Sequence, residues 1–143
     1  MLRNVLVSVV VLIILSGCGD TAGLIRQVTY PPDFNYVTGE ELRSSMDQLG
    51  YQLQRLDLAL VPAEAGRPVE RQEVLDVLSS IERIGANLRA GEGGSNHPFL
   101  EDHMSDFVVE VGRARIAALM NPPSYYLAGR VAGGCVNCHR INR

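Results

Sequence analysis

Tryptophan and lysine are both absent from this 143-residue chain, and cysteine occurs only three times. All 13 basic residues are arginines, scattered against 16 acids for a formal charge of −3. A mildly acidic chain without a clustered positive face is a poor nucleic-acid binder. Three cysteines cannot all pair with one another, so a disulfide framework does not account for them. No alternating apolar–polar run is flanked by hairpin turns, which argues against a sheet. There is no internal repeat, no low-complexity tract, and no Ser-His-Asp or paired-carboxylate constellation that would point to an enzyme. What is present is 46% hydrophobic and 20% charged, the balance of one ordinary globular domain.

The first cysteine belongs to a targeting pattern. One basic residue, Arg3, precedes an apolar run from Val5 to Leu15 broken only by Ser8. That run is short for a membrane span and reads as a signal peptide. It ends in Leu15-Ser16-Gly17-Cys18, which resembles the bacterial lipobox, whose cysteine is lipidated and becomes residue one of the mature chain. The rival reading is a plain signal peptide with an incidental cysteine. The resemblance implies a signal peptide over 1–17, lipid on Cys18, and a periplasmic protein held by its acyl chains. Gly19 after the cysteine lacks the acidic retention signal of such lipoproteins, which favours the outer membrane. Residues 18–37 carry no helical period and include Pro31-Pro32, so they read as a tether.

From Thr38 onward the period is helical. Thr38 and Glu41 fit a capping box, and Leu42, Met46, Leu49, Leu53, Leu56 and Leu60 form one apolar stripe over about 22 residues. Pro62 and Ala65-Gly66-Arg67 end it. Pro68 opens a second helix reaching about Ala90, with Val74, Leu75, Leu78, Ile81, Ile84 and Leu88 inward. After the 91–96 loop, Pro98 opens a third, with Leu100, Met104, Phe107, Val108, Val111, Ala114 and Ala118 inward. Asn121-Pro122 ends that helix and caps a fourth, which carries Leu127, Val131, Cys135 and Cys138 on one side. Four helices of about 20 residues with short connections predict an all-α, antiparallel up-down-up-down bundle over residues 38–143.

Cys135-Val136-Asn137-Cys138-His139 is a CxxCH motif, the attachment signature of c-type haem. On a helix, residues three and four apart share a face. Two thioethers can therefore hold the porphyrin while His139 reaches the iron from the same side. The alternatives are a disulfide pair, although no strand precedes the motif as in thiol–disulfide sites, and zinc, for which no second cysteine pair exists.

A single CxxCH on the last helix of an all-helical domain resembles a class II cytochrome c, the cytochrome c′ family. The resemblance covers residues 38–143 and implies one covalent haem c with His139 as the proximal iron ligand. Members often carry an aromatic three residues after the histidine and a basic residue four after it. Arg143 matches the basic position, whereas Asn142 replaces the aromatic. In low-spin members a methionine on the first helix is the sixth ligand, and in cytochromes c′ proper the iron is five-coordinate. Bundles of this family often dimerise through their first two helices, so a homodimer is an expectation.

On bundle geometry Met46 is the leading sixth ligand. It lies about 12 Å into the first helix, level with His139 about 6 Å from the chain end. Gly50, one turn on, leaves room for a flat macrocycle. The plainer reading of Met46 is a core filler. Met104 reads as core or haem-contacting, His103 as a solvated side chain and a weaker ligand candidate, and His97 as a helix cap. Arg140 and Arg143 are placed to pair with propionates or to guide an acidic partner. The expectation is a periplasmic, membrane-anchored monohaem cytochrome that carries single electrons to partner proteins. The alternative is a five-coordinate haem module that binds nitric oxide or carbon monoxide.

Overall fold

Thr38 starts the first helix as its sequence pattern predicts, with both halves of the capping box formed. The Thr38 N–H donates to Glu41 Oε2 at 2.8 Å, and the Glu41 N–H donates to Thr38 Oγ1 at 3.2 Å. The structure is a computed structural model that describes residues 33–141, with residues 137, 138 and 141 described by backbone alone. The signal segment, Cys18, Asn142 and Arg143 lie outside the described residues. Five helices follow in order: α1 (Gly39–Glu64), α2 (Arg71–Leu88), α3 (Ser105–Leu119), α4 (Tyr126–Ala132) and α5 (Gly134–Ile141). A π-helical turn, Leu100–Met104, leads into α3. The fold is all-α; among the described residues no strand forms, only isolated bridges at Asn35–Ser95 and Gly91–Gly94. No described helix is long and apolar enough to cross a membrane.

The predicted stripes build the core. Leu49, Leu53 and Leu56 of α1 are buried, and Leu42, Met46 and Leu60 pack half-buried against them. Val74, Leu78, Ile81 and Leu88 of α2 meet Leu100, Met104, Val108, Val111, Ala114 and Ala118 of the third segment. Two α2 residues outside the predicted stripe are also buried, Val77 and Gly85. They widen its inner face because α2 packs on both α1 and α3. Gly85 marks the closest approach: a Cβ there would lie 2.8 Å from Val108 Cγ2.

Several boundaries differ from the sequence expectation. Helix α1 runs two residues past Pro62; the proline removes one N–H and crowds the Leu58 carbonyl, a cost confined to the last turn, and the helix ends at Glu64. Helix α2 starts at Arg71 rather than Pro68, because the Glu70 carboxylate accepts the Gln72 N–H and caps it there. Asn121 does not cap the fourth helix. Residues 121–125 form a link in which the Ser124 N–H bonds Ala117 O, and α4 follows Tyr125 with no side-chain cap. The expected continuous fourth helix is two short ones, of 7 and 8 residues, broken at Gly133. Glycine disfavours a helix interior by about 1 kcal/mol relative to alanine, and two stand in succession here.

Residues 33–37, assigned to the tether by their lack of period, are docked. The Asn35 side-chain amide donates to the carbonyls of Asn87 and Arg89, at 3.2 and 2.6 Å. Asn96 pairs twice with Val37, accepting its N–H and donating to its carbonyl, each at 2.8 Å. The His97 ring nitrogen Nε2 donates to the same carbonyl at 2.9 Å. Val37 is buried. The strap runs so close to the loop that a Cβ on Gly91 would collide with the Asp33 carbonyl, which makes glycine obligatory there. It closes one end of the molecule, the base, where α1 begins, α2 ends and the 91–97 loop turns.

Candidate functional site

The CxxCH residues lie on α5, at the same half of the molecule as the strap. Gly134 stands against the Phe107 ring, and Phe107 and Met104 in turn border Gly85, one turn from the end of α2. Helix α5 packs lightly, on α4, whereas α4 itself is held by both α3 and α1. The motif is therefore carried on a short arm that leaves the core at Gly133. The sequence pattern placed Cys135 on one side with Leu127 and Val131. The break undoes that alignment: Val131 is buried, Leu127 half-buried and Cys135 exposed.

On α5, Cys135, Val136, His139 and Arg140 line a groove of about 440 Å³. These positions are one and four residues apart, so the helix presents them as one face. Cys135 and His139 are both exposed, and Val136 keeps 67% of its surface open. Cys138 belongs to the same helix three residues after Cys135; its side chain is outside the described set. Among the described residues no cluster of three His, Cys, Asp or Glu forms a metal-ion site.

The donor chemistry fits a covalently held haem: a thiol and an imidazole, one helical turn apart, open to one groove with an apolar side chain between them. Among the described residues the groove is one-sided, because those lining it all come from α5. Met46 is not among them; it lies half-buried on α1 against the core. At Gly50, one turn on, a Cβ would meet nothing within 4 Å, so that flank of α1 is open. Met104 is committed elsewhere, buried with its sulfur 3.5 Å from the Gly85 Cβ position. His103 is half-buried on the π-helical turn. His97, predicted as a cap, supplies its carbonyl to the Leu100 N–H while its ring holds the strap. Arg140 is exposed at the groove.

No family model, curated protein or solved structure matches this chain. The chemistry of its own residues therefore carries the functional reading.

A larger groove, about 610 Å³, lies between α1 and α2 and includes Arg43, Asp47, Tyr51, Gln52 and Arg83. It is polar and mixed in charge, and it holds neither thiol nor imidazole. Gln52 Oε1 is buried without a hydrogen-bond partner among the described residues. The smaller groove is the candidate site, since reactive side chains and not volume decide what a groove can do. Cys135, His139 and Arg140 of this groove are residues that the sequence had singled out. Sequence reasoning missed the strap and its partners Asn35, Asn96 and His97, because hydrogen bonds across more than fifty residues of sequence leave no periodic signal.

Proposed function

We propose that this protein is a membrane-anchored monohaem c-type cytochrome that carries single electrons in the periplasm. It would be exported by residues 1–17 and held by lipid on Cys18. The carrying observation is that Cys135 and His139 open together onto one groove of α5. Cys135 and Cys138 would hold the haem by thioethers, and His139 would take the iron. The bound group supplies reversible one-electron chemistry at a potential set by its axial ligands and surroundings. The protein's own work is to fix the ring on α5, to shield one face with apolar side chains, and to offer Arg140 and Arg143 to the propionates.

The fold proposed for this role is the antiparallel up-down-up-down bundle, with α4 and α5 as a broken fourth arm. Its support is the closed ring of contacts, α1 on α2, α2 on α3, α3 on α4 and α4 on α1. At the level of α5 the ring is looser, and Leu42, Met46 and Phe107 are only half-buried. A flat ring seated between α5 and α1 would cover them and bring Met46 toward the iron. A second reading follows from the lining of the groove, which among the described residues comes from α5 alone: five-coordinate iron that binds nitric oxide or carbon monoxide.

Visible spectra of both oxidation states test the proposal. Covalent haem is expected in the wild type and lost in Cys135→Ala/Cys138→Ala, and protein matured without any covalent haem would refute the cytochrome reading. A six-coordinate low-spin spectrum that turns high-spin in Met46→Ala assigns the sixth ligand. A high-spin wild type removes Met46 and leaves the gas-binding reading.

A further inference from the structure

Helix α3 buries Val108, Val111, Ala114 and Ala118 in the core between α2 and α4. Its opposite face is apolar as well. Val109, Ile116 and Met120 recur at intervals of seven and four residues, so they form one row along the solvent side. They keep 49, 57 and 54% of their surface open. Exposed apolar residues scattered singly need no explanation, whereas a contiguous row marks a contact surface. Gly112 lies between Val109 and Ile116, where the missing side chain lets another helix come close.

The charges of the same helix select the occupant. Its first half carries Asp106 and Glu110, and its second half carries Arg113. All three are exposed and form no ion pair among the described residues. A helix that is acidic in its first half and basic in its second complements a copy of itself laid antiparallel. The first two helices, the faces that the family resemblance suggests for a dimer, offer a shorter row. There Tyr51 and Leu58 are exposed on α1, and Tyr51 borders the polar groove with Arg43 and Asp47.

We propose that two copies of this chain pair through α3, antiparallel about a two-fold axis near Gly112, as a reversible homodimer. Val109 of each copy packs near Ile116 of the other, and Arg113 of each reaches toward Asp106 and Glu110 of the other. The two-fold axis makes every such contact twice. One 15-residue helix per copy is a small interface, which places the dimer in the transient class. The CxxCH arm meets α3 at Phe107, which packs toward the core and not into the exposed row, so both α5 grooves stay open. The pairing uses no haem ligand and no lipid.

Sedimentation equilibrium of the full chain tests the pairing. A density-matched detergent at a large excess of micelles over protein prevents chance sharing of a micelle. The wild type should show a concentration-dependent monomer–dimer equilibrium. Ile116→Glu and Arg113→Glu should each raise the dissociation constant about tenfold or more. Both change exposed side chains and should leave the melting temperature of the monomer in place. A charge swap then isolates the geometry. Arg113→Glu alone and Asp106→Arg/Glu110→Arg alone should each self-associate poorly, and an equimolar mixture of the two should recover the dimer. A dimer untouched by these substitutions, or a mixture that does not recover, overturns the proposal and moves the contact to another face, α1 and α2 first. A wild type that stays monomeric at every concentration also overturns it and leaves the row to a different protein.

Discussion

At the scale of single residues, burial separates the side chains that hold the fold from those that do chemistry. Leu56 has no exposed surface and lies in the middle of α1. Leu56→Ala should lower unfolding free energy by about 2–5 kcal/mol in a urea titration. Thr38→Ala should cost about 1 kcal/mol, because the Glu41 N–H loses its acceptor and the Thr38 hydroxyl no longer bonds the Glu41 carboxylate. Gly85→Ala should destabilise by about 1–3 kcal/mol through overpacking against Val108, visible as a lower Tm. His139→Ala, in contrast, changes an exposed side chain and should leave the stability of the bundle within about 0.5 kcal/mol. In the haem-loaded protein the same substitution should abolish the wild-type axial spectrum while leaving the covalent link.

Among the elements, α1, α2 and α3 were legible in the sequence because each repeats its apolar residues at helical spacing over many turns. Thr38 and Glu41 even marked the first residue of α1. The fourth segment misled because Leu127, Val131 and Cys135 keep a four-residue spacing straight across Gly133-Gly134. A spacing says nothing about whether the backbone stays helical between its members. Val77 and Gly85 of α2 were missed for another reason: a helix gripped from two sides buries more than one stripe. The strap was illegible because its side chains are polar and its partners distant. Asn96→Ala removes two bonds to Val37 and should cost about 1–3 kcal/mol. Hydrogen exchange should then speed up at Val37 and Asn35 and leave the middle of α2 unchanged.

For the molecule as a whole, the strap is part of the folded unit along with the helices. A chain starting at Thr38 should melt several degrees lower than one starting at Asp33, by calorimetry. The break at Gly133 has a consequence for how the protein is assembled. An eight-residue helix cannot persist on its own, and α5 borrows little from its neighbours. In protein expressed without haem, the α5 amides should exchange at nearly the rate of an unstructured peptide while those of α2 stay protected. On the proposed reading, the bundle would complete its core first and still leave the α5 segment available for haem attachment. Attachment would then be a late step, made on an already folded protein, that fixes the last helix of its own scaffold.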